Sequence, residues 1–214
     1  MTANKERPIL FSAPMVRAIL EDRKTVTRRA CKPQPSANAH TTSAEGKPMG
    51  AWWETGKDVN RCPYGKPGDR LWVREAWVAD AQVDAIAPRD LSQGEPIRYP
   101  ADGAVRQTGC SMLTPGKGRP SIHMPRWASR ILLEITAVRI ERLQDISDAQ
   151  IEREGIDLDA LTDGQDRYDM CHAGSGVEGR PTLRTAWHDL WVSTGGDWDA
   201  NPWVWVVEFK RVQP

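Results

Sequence analysis

The sequence predicts an α+β domain: a mostly antiparallel sheet flanked by short helices and enlarged by long loop insertions. Three observations predict it. "SRILLEITAVRIERLQDI" and "PWVWVVEFKRV" are long runs of β-branched and aromatic residues with strand alternation. "FSAPMVRAILED", "SDAQIEREGI" and "PTLRTAWHDLWVST" carry helical spacing or helix-capping residues. Between these segments, many of the 17 glycines and 16 prolines of the 214-residue chain mark loops.

Taken in order, residues 1–8 read as a polar tail and 9–214 as one domain. In the first helix Ser12 is the candidate N-cap and Pro14 sits in the first turn. Met15 with Ile19, and Val16 with Leu20, give it one apolar face, and it ends near Asp22. "TVTRR" is β-rich and extended. Residues 33–60 read as a long loop carrying the Trp52–Trp53 pair. In "CPYGKPGDRLWVREAW", Gly65, Pro67 and Gly68 form a turn, and Leu71 and Val73 alternate with Arg70, Trp72 and Arg74 in a strand. Residues 79–120 are loop-rich with a short strand at "PIRYPAD". In the longest strand Ile131, Leu133 and Ile135 share one parity and Val138 and Ile140 the other, which predicts a bulge or a bend. Ser147 caps a short helix that Gly155 ends. Residues 157–181 form a polar insertion. Leu183, Trp187, Leu190 and Trp191 then stand at helical spacing before the closing strand.

Apolar residues make up 39% of the chain, enough for a globular core with long loops. Lys+Arg and Asp+Glu both number 29, which argues against a protein that coats DNA through bulk charge. The charges are segregated, however. Arg23, Lys24, Arg28, Arg29 and Lys32 cluster early, Lys117, Arg119, Arg126 and Arg130 cluster mid-chain, and Asp145 to Asp169 is acidic. There is no apolar leader and no run approaching the ~20 residues of a membrane span, so a cytoplasmic location in a bacterial host cell and no membrane partner are expected. Four separated cysteines without CxxC spacing fit reduced thiols.

The stretch "EDRKTVTRR" raises the chemical question. Its bland reading is a solvated charge run. Its sharper reading is a cationic pocket in which Lys24 activates Thr27, since a hydroxyl is a weak nucleophile until a base takes its proton. Arg23, Arg28 and Arg29 would lower the Lys24 pKa toward a useful value; Glu154 would oppose that shift but could orient the ammonium or shuttle protons.

"ILEDRKTVTRR", "YGKPGDRLWVREAW", the long strand, "ISDAQIEREGI" and "VWVVEFKRV" occur in an order that resembles the ASCH domain family. The resemblance is strongest to bacteriophage and prophage members, through "CPYGKPGDRLWVRE", "SIHMPRWASR" and "DANPWVWVVEF". It implies a PUA-like β-barrel related to RNA-binding domains. One branch of that family hydrolyses the amide of N4-acetylcytidine without a metal. Its motifs match Lys24, Thr27 and Glu154 here, implying Thr27 as nucleophile, Lys24 as base and Glu154 as proton shuttle. Asp22 stands where the family pattern has glycine, and the chain is roughly twice the family core in length.

Ten tryptophans against three tyrosines and two phenylalanines is an unusual balance. Trp187 and Trp191 read as core. Trp72, between Arg70 and Arg74, reads as a base-stacking platform, and Trp52, Trp53 and Trp127 are further candidates. Lys117, Arg119 and Arg126 in "GKGRPSIHMPRWASR" are candidate phosphate contacts. Cys62, Cys110, His123, Cys171 and His172 lack zinc-ligand spacing, so neither a metal nor a cofactor is expected. The leading expectation is a protein that binds nucleic acid or a modified nucleoside in a cationic, Trp-lined cleft formed by the opening motif, Trp72 with its arginines, and Glu154. The alternatives are the amidohydrolase and a phage accessory protein that binds a host protein through its Trp-bearing loops.

Overall fold

The computed structural model describes residues 4–107, 109, 111–173 and 178–213. In chain order the elements are β1 (Glu6–Leu10), α1 (Ala13–Leu20), β2 (Val26–Ala30), β3 (His40–Thr42), β4 (Pro48–Trp53), β5 (Asn60–Arg61), β6 (Arg70–Arg74), β7 (Trp77–Asp80), β8 (Ile97–Arg98), β9 (Val105–Arg106), β10 (Pro115–Arg119), β11 (Leu132–Arg142), α2 (Asp148–Arg153), α3 (Leu158–His172), α4 (Leu183–Ser193) and β12 (Trp203–Val212). The architecture is α+β.

The main sheet has the order β1-β6-β11-β12-β2, antiparallel except for the parallel β1–β6 pair. Strand β11 carries the predicted bulge. Its register against β12 slips between Ile135 and Ala137, so Ile131, Leu133 and Ile135 before the slip and Ile140 after it reach the same core. Smaller sheets are β10-β7-β8-β9 and β3-β4-β5. Among the described residues no strand pairing joins β1 to β2, so the main sheet is open along its ladder.

Strand β12 divides the interior. Trp205, Val207 and Phe209 enter a core shared with Phe11, Ile19, Trp52 and Leu71. Val204 and Val206 enter a second core with Val26, Ile151, Trp187 and Trp191, beneath α2 and α4. Alternation along one strand therefore builds both layers. A third cluster around Trp77, Tyr99 and Met124 supports the β7–β10 sheet.

Three segments differ from expectation. Residues 6–8 of the predicted tail begin β1, which continues into the domain at the buried Ile9. The predicted loop at 33–60 holds a three-stranded sheet, and its Trp52 is buried. The insertion after residue 157 contains the 15-residue helix α3, capped by the Asp157 side chain, with none of its residues buried. No helix among the described residues is long and apolar enough to cross a membrane.

Candidate functional site

The site lies where α1, β2 and α2 meet. Helix α1 ends in a left-handed turn at Asp22 (φ 57°), the position where the resembled motif carries glycine. The backbone N–H groups of Arg23 and Lys24 both donate to the Ala18 carbonyl, at 2.9 Å each. The Thr25 N–H donates to the Arg153 carbonyl at 2.9 Å, fastening the start of β2 to the last turn of α2. Glu154 caps α2, and Gly155 follows at φ 89°. A side chain there would meet Ala18 Cβ at 2.8 Å and Lys24 Cβ at 2.9 Å, so only glycine lets α1 and Lys24 approach this closely.

Lys24, remote from Glu154 in sequence, therefore lies directly against it. Its side chain is 0% exposed, and Nζ donates both to the Glu154 carboxylate Oε2 and to the Glu154 carbonyl, each at 2.7 Å. The other carboxylate oxygen accepts from Arg28 Nη1 at 3.0 Å. Arg28 is itself buried, and its Nη2 donates to Gln150 Oε1 at 2.8 Å and to Glu141 Oε2 at 3.2 Å. Burial lowers the Lys24 pKa below its ordinary 10.5; the charge of Glu154 and its hydrogen bond oppose that shift, and the positive charges of Arg29 and Arg28 add to it. A lysine buried in this way gives up its proton more readily than an exposed one.

Strand β2 is the edge of the main sheet. Cys31 N–H donates to the Trp203 carbonyl and Phe209 N–H to the Thr25 carbonyl, so Thr25, Thr27, Arg29 and Cys31 point their backbone groups at β12. Those of Val26, Arg28 and Ala30 face the open edge. Side chains from both faces of β2 consequently gather around that edge. Thr27, Arg28, Arg29, Glu154 and Trp187 line a narrow slot of about 20 Å³, completed by Met15 and Leu190. The slot is roomy enough for about one oxygen-sized group. Among the residues lining it, Arg28 Nε, Arg29 Nε and Trp187 Nε1 are buried donors without a hydrogen-bond partner. Such orphans are rare and call for an acceptor.

The slot adjoins a cleft of about 520 Å³, which shares Arg28, Arg29, Trp191 and Thr194 with it and adds Lys32, Tyr64 and the Gly195–Gly196 turn. That volume lies in the range of small-ligand sites. Beyond Glu154 on another side, Met15, Ile156, Leu161, Pro181 and Leu190 line an apolar groove of about 420 Å³.

The remaining candidates do not join this site. The faces of Trp72 are engaged by the guanidinium groups of Arg74 at 4.6 Å and Arg126 at 6.0 Å, and the indole is 8% exposed. The expected single cleft is thus divided, with the Trp72 cluster outside the cavities around Lys24. Arg70 lies on β6 with Trp72, and its Nε is a buried donor without a partner. Arg126 pairs with Glu6 at 2.9 Å. Arg119 is buried, stacks on Trp77 at 5.2 Å and donates to the Val83 and Ile86 carbonyls, a bracing role. Lys117 is exposed, and Trp127 lies under Arg106 at 5.5 Å. Arg23 is exposed and pairs with Glu21. Sequence reasoning missed Lys32, Tyr64, Trp187 and Trp191 as site residues. Helical spacing marked both tryptophans as core, which they are, and gave no sign that they also wall a cavity. Among the described residues no cluster of His, Cys, Asp or Glu is placed to hold a metal; Cys110 lies outside them.

No family model and no curated protein matches the chain. Among solved structures, protein EF3133 of Enterococcus faecalis V583, of the DUF984 family, aligns with 100% of this chain and 82% of its own at 9% identity and a TM-score of 0.34. Likeness at that level assigns neither fold nor function.

Proposed function

We propose that this chain is an ASCH-type, metal-independent amidohydrolase that removes an N-acyl group from a cytidine-like base. The observation that carries the reading is the contact of Lys24 with Glu154, buried beside the Thr27 slot that opens into a nucleobase-sized cleft. The resemblance supplies the chemical roles, and it assigns the main sheet to a PUA-like barrel. The close approach of β4 to the later half of β11, where a Cβ on Gly50 would sit 3.2 Å from the Val138 carbonyl oxygen, suits a strongly curved sheet.

The chemistry runs as an acyl transfer. Neutral Lys24 takes the Thr27 proton as Thr27 Oγ attacks the acyl carbonyl carbon. The negative charge that develops on the carbonyl oxygen is met by the donors around the slot, for which Arg28 Nε, Arg29 Nε and Trp187 Nε1 are available. The C–N bond breaks, and the Lys24 proton passes to the departing amine, directly or through Glu154. Water, deprotonated by the same lysine, then cleaves the threonine ester to give a carboxylic acid and free Thr27. Amide and water are consumed; amine and acid are formed. The acyl carbons have Met15 and Leu190 as apolar neighbours.

Incubation with N4-acetylcytidine tests this reading. The wild type is expected to release cytidine, while Lys24→Met and Thr27→Val lose at least a hundredfold in rate with unchanged circular dichroism. An inert, folded wild type would overturn it. A second reading, a nucleoside reader without chemistry, is favoured by the Tyr64 and Trp191 rings and the Arg29 and Lys32 cations at the cleft. It predicts binding of the nucleoside without release of cytidine.

A further inference from the structure

A second cavity lies on the opposite side of the loop that walls the cleft. It measures about 550 Å³ and is lined by Lys5, Arg7, Arg61 and Lys66, with Asp69 as its acid. Asp69 is already committed: it accepts from Arg7 Nη1 at 2.9 Å and from the backbone N–H groups of Lys5 at 3.2 Å and Lys66 at 3.3 Å. Among the described residues the Lys5, Arg61 and Lys66 side chains have no ion-pair or hydrogen-bond partner, and all three are exposed. The cavity therefore presents three uncommitted cations in a chain whose total charge is zero. The acidic stretch from Asp145 to Asp169 lines neither this cavity nor the cleft.

The loop from Arg61 to Asp69 forms a wall of both spaces. Arg61, Cys62, Gly65 and Lys66 face the basic cavity, whereas Pro63 and Tyr64 face the cleft. Neighbouring residues thus line opposite sides of a wall one polypeptide thick. Gly65 makes the turn possible: at φ 126° it is in glycine's territory, and a Cβ would stand 2.7 Å from Asp69 Oδ2 and 2.8 Å from Arg7 Nη1.

We propose that the basic cavity is the phosphate-backbone subsite of a single-stranded polynucleotide whose target base occupies the Arg29–Tyr64 cleft. The inference rests on the nucleobase reading of that cleft. Two observations favour a polymer over a lone nucleoside, and the chemistry of the base makes that polymer single-stranded. The cations are spread over a second cavity instead of being gathered beside the first. They are unneutralised, as phosphate contacts require. The acylated amine of cytosine also lies on its pairing edge, so a base that reaches Thr27 must be unpaired and splayed from its neighbours.

The test uses fluorescence anisotropy with a 5′-labelled twelve-nucleotide single strand containing one N4-acetylcytidine. It compares the full-length wild type with Lys5→Ala/Arg61→Ala/Lys66→Ala, whose replaced side chains are exposed. The triple variant is expected to bind at least tenfold more weakly at 100 mM salt. Its log–log salt slope is expected to be shallower by about 2, the value for three single-strand phosphates. Its rate on free N4-acetylcytidine should equal that of the wild type. Equal oligonucleotide binding by the two proteins, or binding that ignores salt, overturns the proposal. A parallel arm with N4-acetylcytidine 5′-triphosphate separates the two sources of phosphate: if the triphosphate senses the three substitutions and the oligonucleotide does not, the polymer assignment fails. Loss of deacylation in both proteins, with oligonucleotide binding still dependent on the three cations, overturns the hydrolase and supports the subsite.

Discussion

Lys24 is the side chain on which the proposed chemistry turns. Its two acceptors both belong to Glu154, so the cation is held by the single residue that caps α2. Burial lowers its folded pKa below 10.5, the value it has in the unfolded chain. The folded state therefore sheds this proton at a lower pH than the unfolded state does. The stability Lys24 contributes is fully present above pH 10.5 and is lost as pH falls through the folded pKa. The urea midpoint of the wild type should accordingly rise relative to Lys24→Met between pH 8 and 10.5. A gap that stays constant across that range would show that Lys24 keeps its ordinary affinity for protons. The same group governs catalysis in the proposed reaction: the rate on N4-acetylcytidine should climb with pH until the lysine is neutral, then level off.

At the level of elements, the site depends on β2 being an edge strand, because only an unpaired edge lets Thr27 on one face and Arg28 on the other border the same slot. Natural edges are usually covered or blunted, and here α2 and α4 lie alongside. A second junction shows the same economy of charge. Glu75, in the bend between β6 and β7, is 1% exposed and receives two Arg130 N–H groups at 2.9 Å each; Arg130 also pairs with Asp102 at 2.8 Å and lies over Tyr99 at 4.1 Å. One guanidinium thus ties the main sheet to the β7–β10 sheet. Arg130→Ala should lower stability by about 3–5 kcal/mol, since it leaves a buried carboxylate without its partner. The paired change Glu75→Gln/Arg130→Met should recover most of that loss in urea denaturation. Equal stability of Arg130→Ala and wild type would mean that the contact contributes nothing net.

The whole molecule places its cavities along boundaries between cores. The slot lies between the main core and the one beneath α2 and α4, and β12 belongs to both. A ligand seated there touches α1, β2 and α4 at once, so its binding energy should appear as global stability. For Thr27→Val, which the mechanism makes able to bind but unable to turn over, N4-acetylcytidine at a hundred times its Kd should add about 2.7 kcal/mol to unfolding. A thermal shift that grows with the logarithm of ligand concentration above Kd checks this. No shift for a folded variant would place the ligand elsewhere.

Local signals were enough for α1, β2, β6, β11 with its bulge, α2, α4 and β12. Each has a periodic apolar face, a cap or a parity change contained within its own residues. Lys24, Thr27 and Glu154 could be grouped as candidates through motif order alone, and the structure shows Lys24 against Glu154; spacing along the chain says nothing about residues more than a hundred positions apart. Other features came from partners distant in sequence. Strand β1 exists because β6 offers it a parallel edge, which no hairpin signal announces. The strands in 40–61 are short, and Trp52 counts as core only because β4 packs on β11. Helix α3 buries none of its residues, so it has no apolar stripe to read. The same physics separates the arginines: sequence records their charge, whereas packing determined that Arg119 braces carbonyls and Arg74 covers Trp72. It also left Arg28 and Arg29 with unused donors beside a threonine. Covalent order sets what each short segment prefers; which side chains share a cavity is a property of long-range contacts, formed only when the segments fold together.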